Sequence, residues 1–111
     1  IDTNIRIELR AKCFSSSQKS KITNLGHGGM FVALGKNLLM EQDAVSFKIF
    51  FDDTAGAIIE GYGRVKWVRQ RPIADRPAGV GVKFTFLTNE CRNQVIDMVE
   101  AMKKQPVIPA D

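Results

Sequence analysis

Residues 5–13 alternate without a break: Ile5, Ile7, Leu9, Ala11 and Cys13 fall on one side of an extended chain, and Arg6, Glu8, Arg10 and Lys12 on the other. A side-chain period of two describes a strand with one face buried and one face in water. In a helix the same charges would spiral through the apolar face. The alternation returns at 44–51 with Val45, Phe47, Ile49 and Phe51, at 57–68 with Ile59, Gly61, Gly63, Val65 and Trp67, and at 79–86 with Val80, Val82, Phe84 and Phe86. Strict alternation places Trp67 and Phe86 in the core. Two shorter segments, 19–24 around Ile22 and the apolar run 30–34, bring the expected strands to six.

Turn chemistry separates these segments. Ser15-Ser16-Ser17-Gln18 reads as a hairpin loop, and Gly26-His27-Gly28-Gly29 as a turn whose glycines allow a close backbone approach. Asp52-Asp53-Thr54-Ala55-Gly56 reads as a tight reversal, and 70–77 as a polar loop carrying Arg71 and Arg76. The two glycines of the fifth strand suggest a bend or bulge, the means by which a sheet curls.

The period then changes. Thr88 can cap a helix beginning at Asn89, on which Cys91, Val95, Met98, Val99 and Met102 share one face, with Ile96 beside it and Lys103 and Lys104 near its end; Pro106 stops it. The expected fold is all-β with one helix: a six-stranded antiparallel β-barrel plus a C-terminal α-helix, which removes exposed sheet edges. The expected domain covers 1–104, and 105–111 reads as a tail or linker.

A chain of 111 residues fits one domain, and 44% hydrophobic with 25% charged residues is an ordinary globular mixture. No apolar run reaches the roughly 20 residues of a bilayer span, so no membrane insertion is expected. The net charge of +4 suits an anionic ligand, short of what a polymeric nucleic acid asks for. One histidine, His27, and two distant cysteines, Cys13 and Cys91, do not make a closed metal site, and no acid, base and nucleophile stand together in the pattern. The expectation is therefore a binding module with no cofactor, and two free thiols without a signal-like start suggest the cytoplasm.

Asn24-Leu25-Gly26-His27-Gly28-Gly29 and the strand Met30-Phe31-Val32, followed by Gly63-Arg64-Val65-Lys66-Trp67-Val68-Arg69 and Gly79-Val80-Gly81-Val82-Lys83-Phe84, resemble the PilZ domain family in order and spacing, over about Arg6 to Val99. The resemblance implies a barrel that binds cyclic di-GMP, a partner among bacterial signalling or motility proteins, and no enzymatic activity. It carries the family's [D/N]-x-S-x-x-G turn onto Asn24, Gly26 and Gly29. It carries the R-x-x-x-R element onto Arg6 and Arg10, and makes His27 a stacking candidate for a base. An arginine fork matches guanine and phosphate.

Two departures stand out. Gly26 occupies the serine position, so the hydroxyl is gone while a backbone amide remains. Arg6 and Arg10 lie inside the first expected strand, where they read first as its solvated face with Glu8 and Lys12; the family's element is a loop further upstream. Asn24 reads as well as a turn residue as a ligand contact, and Arg69, Arg71 and Arg76 as a solvated loop or as phosphate contacts. The alternative to a receptor is a PilZ-like adaptor that acts through protein–protein contact without the nucleotide.

Overall fold

A computed structural model describes residues 2–35, 39–50 and 58–103. The elements are β1 (Asp2–Arg10), β2 (Gln18–Leu25), β3 (Gly29–Ala33), β4 (Ala44–Phe50), β5 (Ile58–Arg69), β6 (Gly79–Leu87) and α1 (Asn89–Lys103). The strands close into an antiparallel barrel in the order β1-β2-β3-β6-β5-β4. The reversal expected at Asp52–Gly56 and the tail expected at 105–111 lie outside the described residues.

The inward faces are the ones the alternation marks. Ile7 and Leu9 of β1, Val45, Phe47 and Ile49 of β4, and Val80, Val82 and Phe84 of β6 are all buried. Gly61 and Gly63 face inward as well. A Cβ on Gly61 would run into Phe47 and Leu87, and one on Gly63 into Val82, so these glycines leave room for the large side chains opposite. Val95 and Val99 of α1 join the same core, and the helix packs against β5 and β6. Thr88 caps it: its Oγ1 accepts the Cys91 amide at 3.1 Å.

Three sequence expectations need correction. β1 ends at Arg10, because the Phe14 amide turns back to the Ala11 carbonyl at 3.1 Å; Ala11 and Cys13 therefore pack on the core from a turn, not from the strand. Trp67 is not a core residue but 43% exposed, and Phe86 is 53% exposed. Both reversals come from β-bulges in the β5–β6 ladder. Val65 pairs with Val82 and Trp67 with Gly81, so Lys66 is an extra residue on β5; Gly63 pairs with Phe84 and Tyr62 with Phe86, so Thr85 is an extra residue on β6. One extra residue turns every later side chain to the other face.

Among the described residues, no helix is long and apolar enough to cross a membrane, and no group of three His, Cys, Asp or Glu side chains gathers to hold a metal.

Candidate functional site

The Lys66 bulge builds a platform on the outside of the barrel. Phe31 of β3 pairs with Gly81 of β6, which pairs with Trp67 of β5. Side chains directly opposite in neighbouring strands share a face. Because the middle residue has no side chain, the two rings meet across it, with centroids 5.0 Å apart and planes 21° apart. A Cβ on Gly81 would overlap the Trp67 indole. The Arg69 guanidinium carbon lies 4.8 Å from the Phe31 ring centroid and 5.1 Å from that of Trp67, and its Nη1 donates to the Pro77 carbonyl at 3.0 Å. Stacking of this kind contributes about 0.5–1.5 kcal/mol, and each cation–π contact about as much.

The platform lies midway along a groove of about 880 Å³. At one end is the glycine turn. Gly29 pairs with Lys83, and a Cβ there would collide with the Val82 carbonyl oxygen, so the close approach of β3 to β6 demands glycine. The Gly26 amide donates to the Gly29 carbonyl at 2.9 Å and the Phe84 amide to the Gly28 carbonyl at 2.9 Å. At the other end is the β5–β6 hairpin. Its tip is fixed by reciprocal Ile73–Arg76 backbone hydrogen bonds of 3.0 and 2.9 Å, with Ala74 at φ 54°. The two ends stand roughly 13 Å apart, four residues along β3 at the usual strand rise. Lys66, Arg69, Arg76 and Lys83 line the groove, with Asp75 as its one carboxylate among the described residues. An aromatic platform ringed by cations suits a planar, anionic molecule.

The residues singled out in the sequence are divided by the fold. Asn24, Gly26 and Gly29 line the groove. The Gly26 amide, the group left when the hydroxyl is absent, is engaged inside the turn. His27 holds the turn to α1, its Nε2 lying 2.8 Å from Glu100 Oε1. Arg6 lies over the Phe50 ring, 5.9 Å from its centroid, and Arg10 Nε donates to Ser17 Oγ at 2.8 Å; neither lines the groove. Sequence reasoning missed Phe31, Trp67, Lys66, Lys83 and Asp75. Alternation marked both lysines as outward, but their convergence with the glycine turn appears only once β3, β6 and β5 are in register.

The family model of the PilZ domain matches residues 3–101. Among solved structures, the chain is similar to the Bacillus subtilis inhibitor of motility, MotI/DgrA, with a TM-score of 0.78 and 11% identity, over 96% of this chain and 51% of that one. It thus spans about half the length of that protein. It is also similar to the PilZ domain of CeSA from a cellulose-synthesizing bacterium, with a TM-score of 0.63 and 17% identity, over 93% of this chain and 96% of that one. Among curated proteins, no relative matches the sequence.

Proposed function

The chain belongs to the PilZ domain family, and from that premise we propose that it is a cytoplasmic receptor module for cyclic di-GMP whose ligand lies over Trp67. The observation that carries this reading is the groove itself. It joins the family's glycine turn, at Asn24 to Gly29, to an outward aromatic platform and to Lys66, Arg69, Arg76 and Lys83. Each part answers to a part of the dinucleotide. The exposed portion of the indole takes a guanine face, and base–aromatic stacking contributes about 1–3 kcal/mol. The cations meet the two phosphates, and the Asn24 amide offers a donor and an acceptor to a base edge. Arg6 and Arg10 are held in β1, away from the groove, and have no part in this reading.

Trp67 is the one tryptophan of the chain, so its emission reports on the platform directly. Titration with cyclic di-GMP is expected to quench it saturably at micromolar ligand, with matching heat by calorimetry. Neither quenching nor heat at those concentrations would remove the receptor reading.

A second reading is favoured by one specific observation: Gly26 supplies no hydroxyl and its amide is already bonded. In that reading the barrel is an adaptor for a bacterial signalling or motility protein, as the similarity to an inhibitor of motility suggests. Capture of a partner that is retained equally with and without cyclic di-GMP supports the adaptor; capture that requires the nucleotide supports the receptor.

A further inference from the structure

One residue of the groove is out of place for a site that holds only phosphate. Asp75 lines it beside Lys66, Arg69, Arg76 and Lys83. Among the described residues its carboxylate has no hydrogen bond and no ion pair, although four cations line the same groove. The Arg69 guanidinium is occupied by the Pro77 carbonyl and the two rings, and the Arg76 backbone by Ile73. An ionised carboxylate beside a dianionic ligand is repelled by it unless it meets hydrogen-bond donors. A carboxylate is acceptor-only, with two oxygens able to take two parallel N–H donors. Guanine presents such a pair on its Watson–Crick edge, the N1–H and the exocyclic N2 amino group. Adenine presents no such pair, and hypoxanthine keeps N1–H but lacks the amino group.

The placement fits that match. The platform row of Phe31, Gly81 and Trp67 is two residues along β3 from Ala33, which pairs with Gly79 at the foot of the hairpin. A base stacked on Trp67 therefore has one edge toward the glycine turn and the opposite edge toward the hairpin tip. The reciprocal Ile73–Arg76 bonds fix the tip that carries Asp75.

We infer that Asp75 is a specificity residue of the groove: its carboxylate accepts from the N1–H and N2 amino group of the guanine stacked on Trp67, and so selects guanine over hypoxanthine and adenine. This rests on the reading of the groove as a cyclic di-GMP site. A bidentate contact of this kind discriminates bases by roughly 10-fold or more.

The test follows Trp67 emission in the wild-type chain, Asp75→Ala and Asp75→Asn, each titrated with cyclic di-GMP, cyclic di-IMP and cyclic di-AMP. The wild type is expected to prefer cyclic di-GMP over cyclic di-IMP by about 10-fold. Asp75→Ala is expected to weaken the guanine ligand most, the hypoxanthine ligand less and the adenine ligand not at all, and so erase the guanine preference, and Asp75→Asn, which keeps one acceptor, to fall between. A carboxylate that merely repels phosphate gives the opposite result, tighter binding of all three ligands in both variants, and that overturns the inference. So does a guanine preference that survives in Asp75→Ala, or a wild type that binds the three alike. A wild type that binds none of them overturns the receptor reading together with the inference.

Discussion

Two aromatic pairs stand on the outer wall of this barrel, each with one ring, Trp67 or Phe86, turned outward by a bulge in the same β5–β6 ladder, and they differ in their geometry and surroundings. Phe31 and Trp67 lie nearly parallel across a glycine, with Arg69 against both rings and cations lining the groove. Tyr62 and Phe86 are direct cross-strand neighbours, tilted by 49° at 6.2 Å and 58% and 53% exposed. Their surroundings mix signs: Glu8 and Arg10 lie nearby, and the Lys48–Glu60 pair at 3.6 Å beside them is well exposed. A bulge is thus enough to expose an aromatic ring. A ligand platform also needs a missing side chain between two rings and a clear excess of one charge around them, here four cations to one carboxylate among the described residues.

The sharpest way to break the comparison is to fill the gap under the platform. Gly81→Val puts a branched side chain where the indole lies, so Trp67 must leave Phe31. Cyclic di-GMP binding is expected to fall beyond measurement, with a loss of stability of about 1–3 kcal/mol from overpacking. Calorimetry and thermal unfolding on one sample separate the two effects. Binding that survives in a folded Gly81→Val chain removes the platform from the site.

Trp67→Ala against Tyr62→Ala is the next step. Losing one base–aromatic stack costs about 1–3 kcal/mol of binding, roughly 5- to 150-fold in affinity. Tyr62→Ala leaves the groove intact, and its affinity for the dinucleotide is expected to stay within about 2-fold of wild type, since well-separated sites behave independently. An equal effect of the two substitutions would erase the distinction between the pairs.

The same pairs show how far the sequence could be read. Alternation located six strands and the helix because burial on one face imposes period two on a strand and 3.6 on a helix, and the residues obey both. It misplaced Trp67 and Phe86 because an extra residue leaves no mark in hydropathy: Lys66 and Thr85 are ordinary outward residues, and only the pairing partners reveal that the count has slipped. The site was legible where it is local, in the glycine turn, of whose glycines Gly29 has no room for a side chain against the Val82 carbonyl. The rest of the groove is assembled from three strands distant in sequence. Phe31, Gly81 and Trp67 become one surface only through register. Arg6 and Arg10 show the converse, since a spacing that matches a motif says nothing of which strand will lie beside it.

Salt gives a smaller effect that still separates the two surfaces. Solvated cations around the platform attract a dianion less strongly as the Debye length shortens from about 10 Å at 0.1 M salt to about 3 Å at 1 M. Affinity for cyclic di-GMP is expected to drop several-fold over that range, while the Trp67→Ala to wild-type ratio stays nearly constant, because stacking is not screened. A ratio that collapses with salt would make the indole a spacer for charge instead of a surface for a base.

The smallest expected change lies at the hairpin tip that borders the groove of Phe31 and Trp67. Ala74 holds φ 54°, a left-handed conformation that costs an alanine about 1–2 kcal/mol and glycine almost nothing. Against that relief stands the larger chain entropy that glycine brings to the unfolded state, about 0.5–1 kcal/mol. Ala74→Gly is therefore expected to raise stability by no more than about 1.5 kcal/mol, read as a small increase in melting temperature. Its effect on the dinucleotide is the more telling number. If the strained tip serves only to close the turn, affinity and base preference are unchanged, because the Ile73–Arg76 bonds still fix Asp75. If the preference for guanine softens while stability rises, the alanine is stiffening the carboxylate's position, and the groove end carrying Asp75 is held by strain as well as by hydrogen bonds.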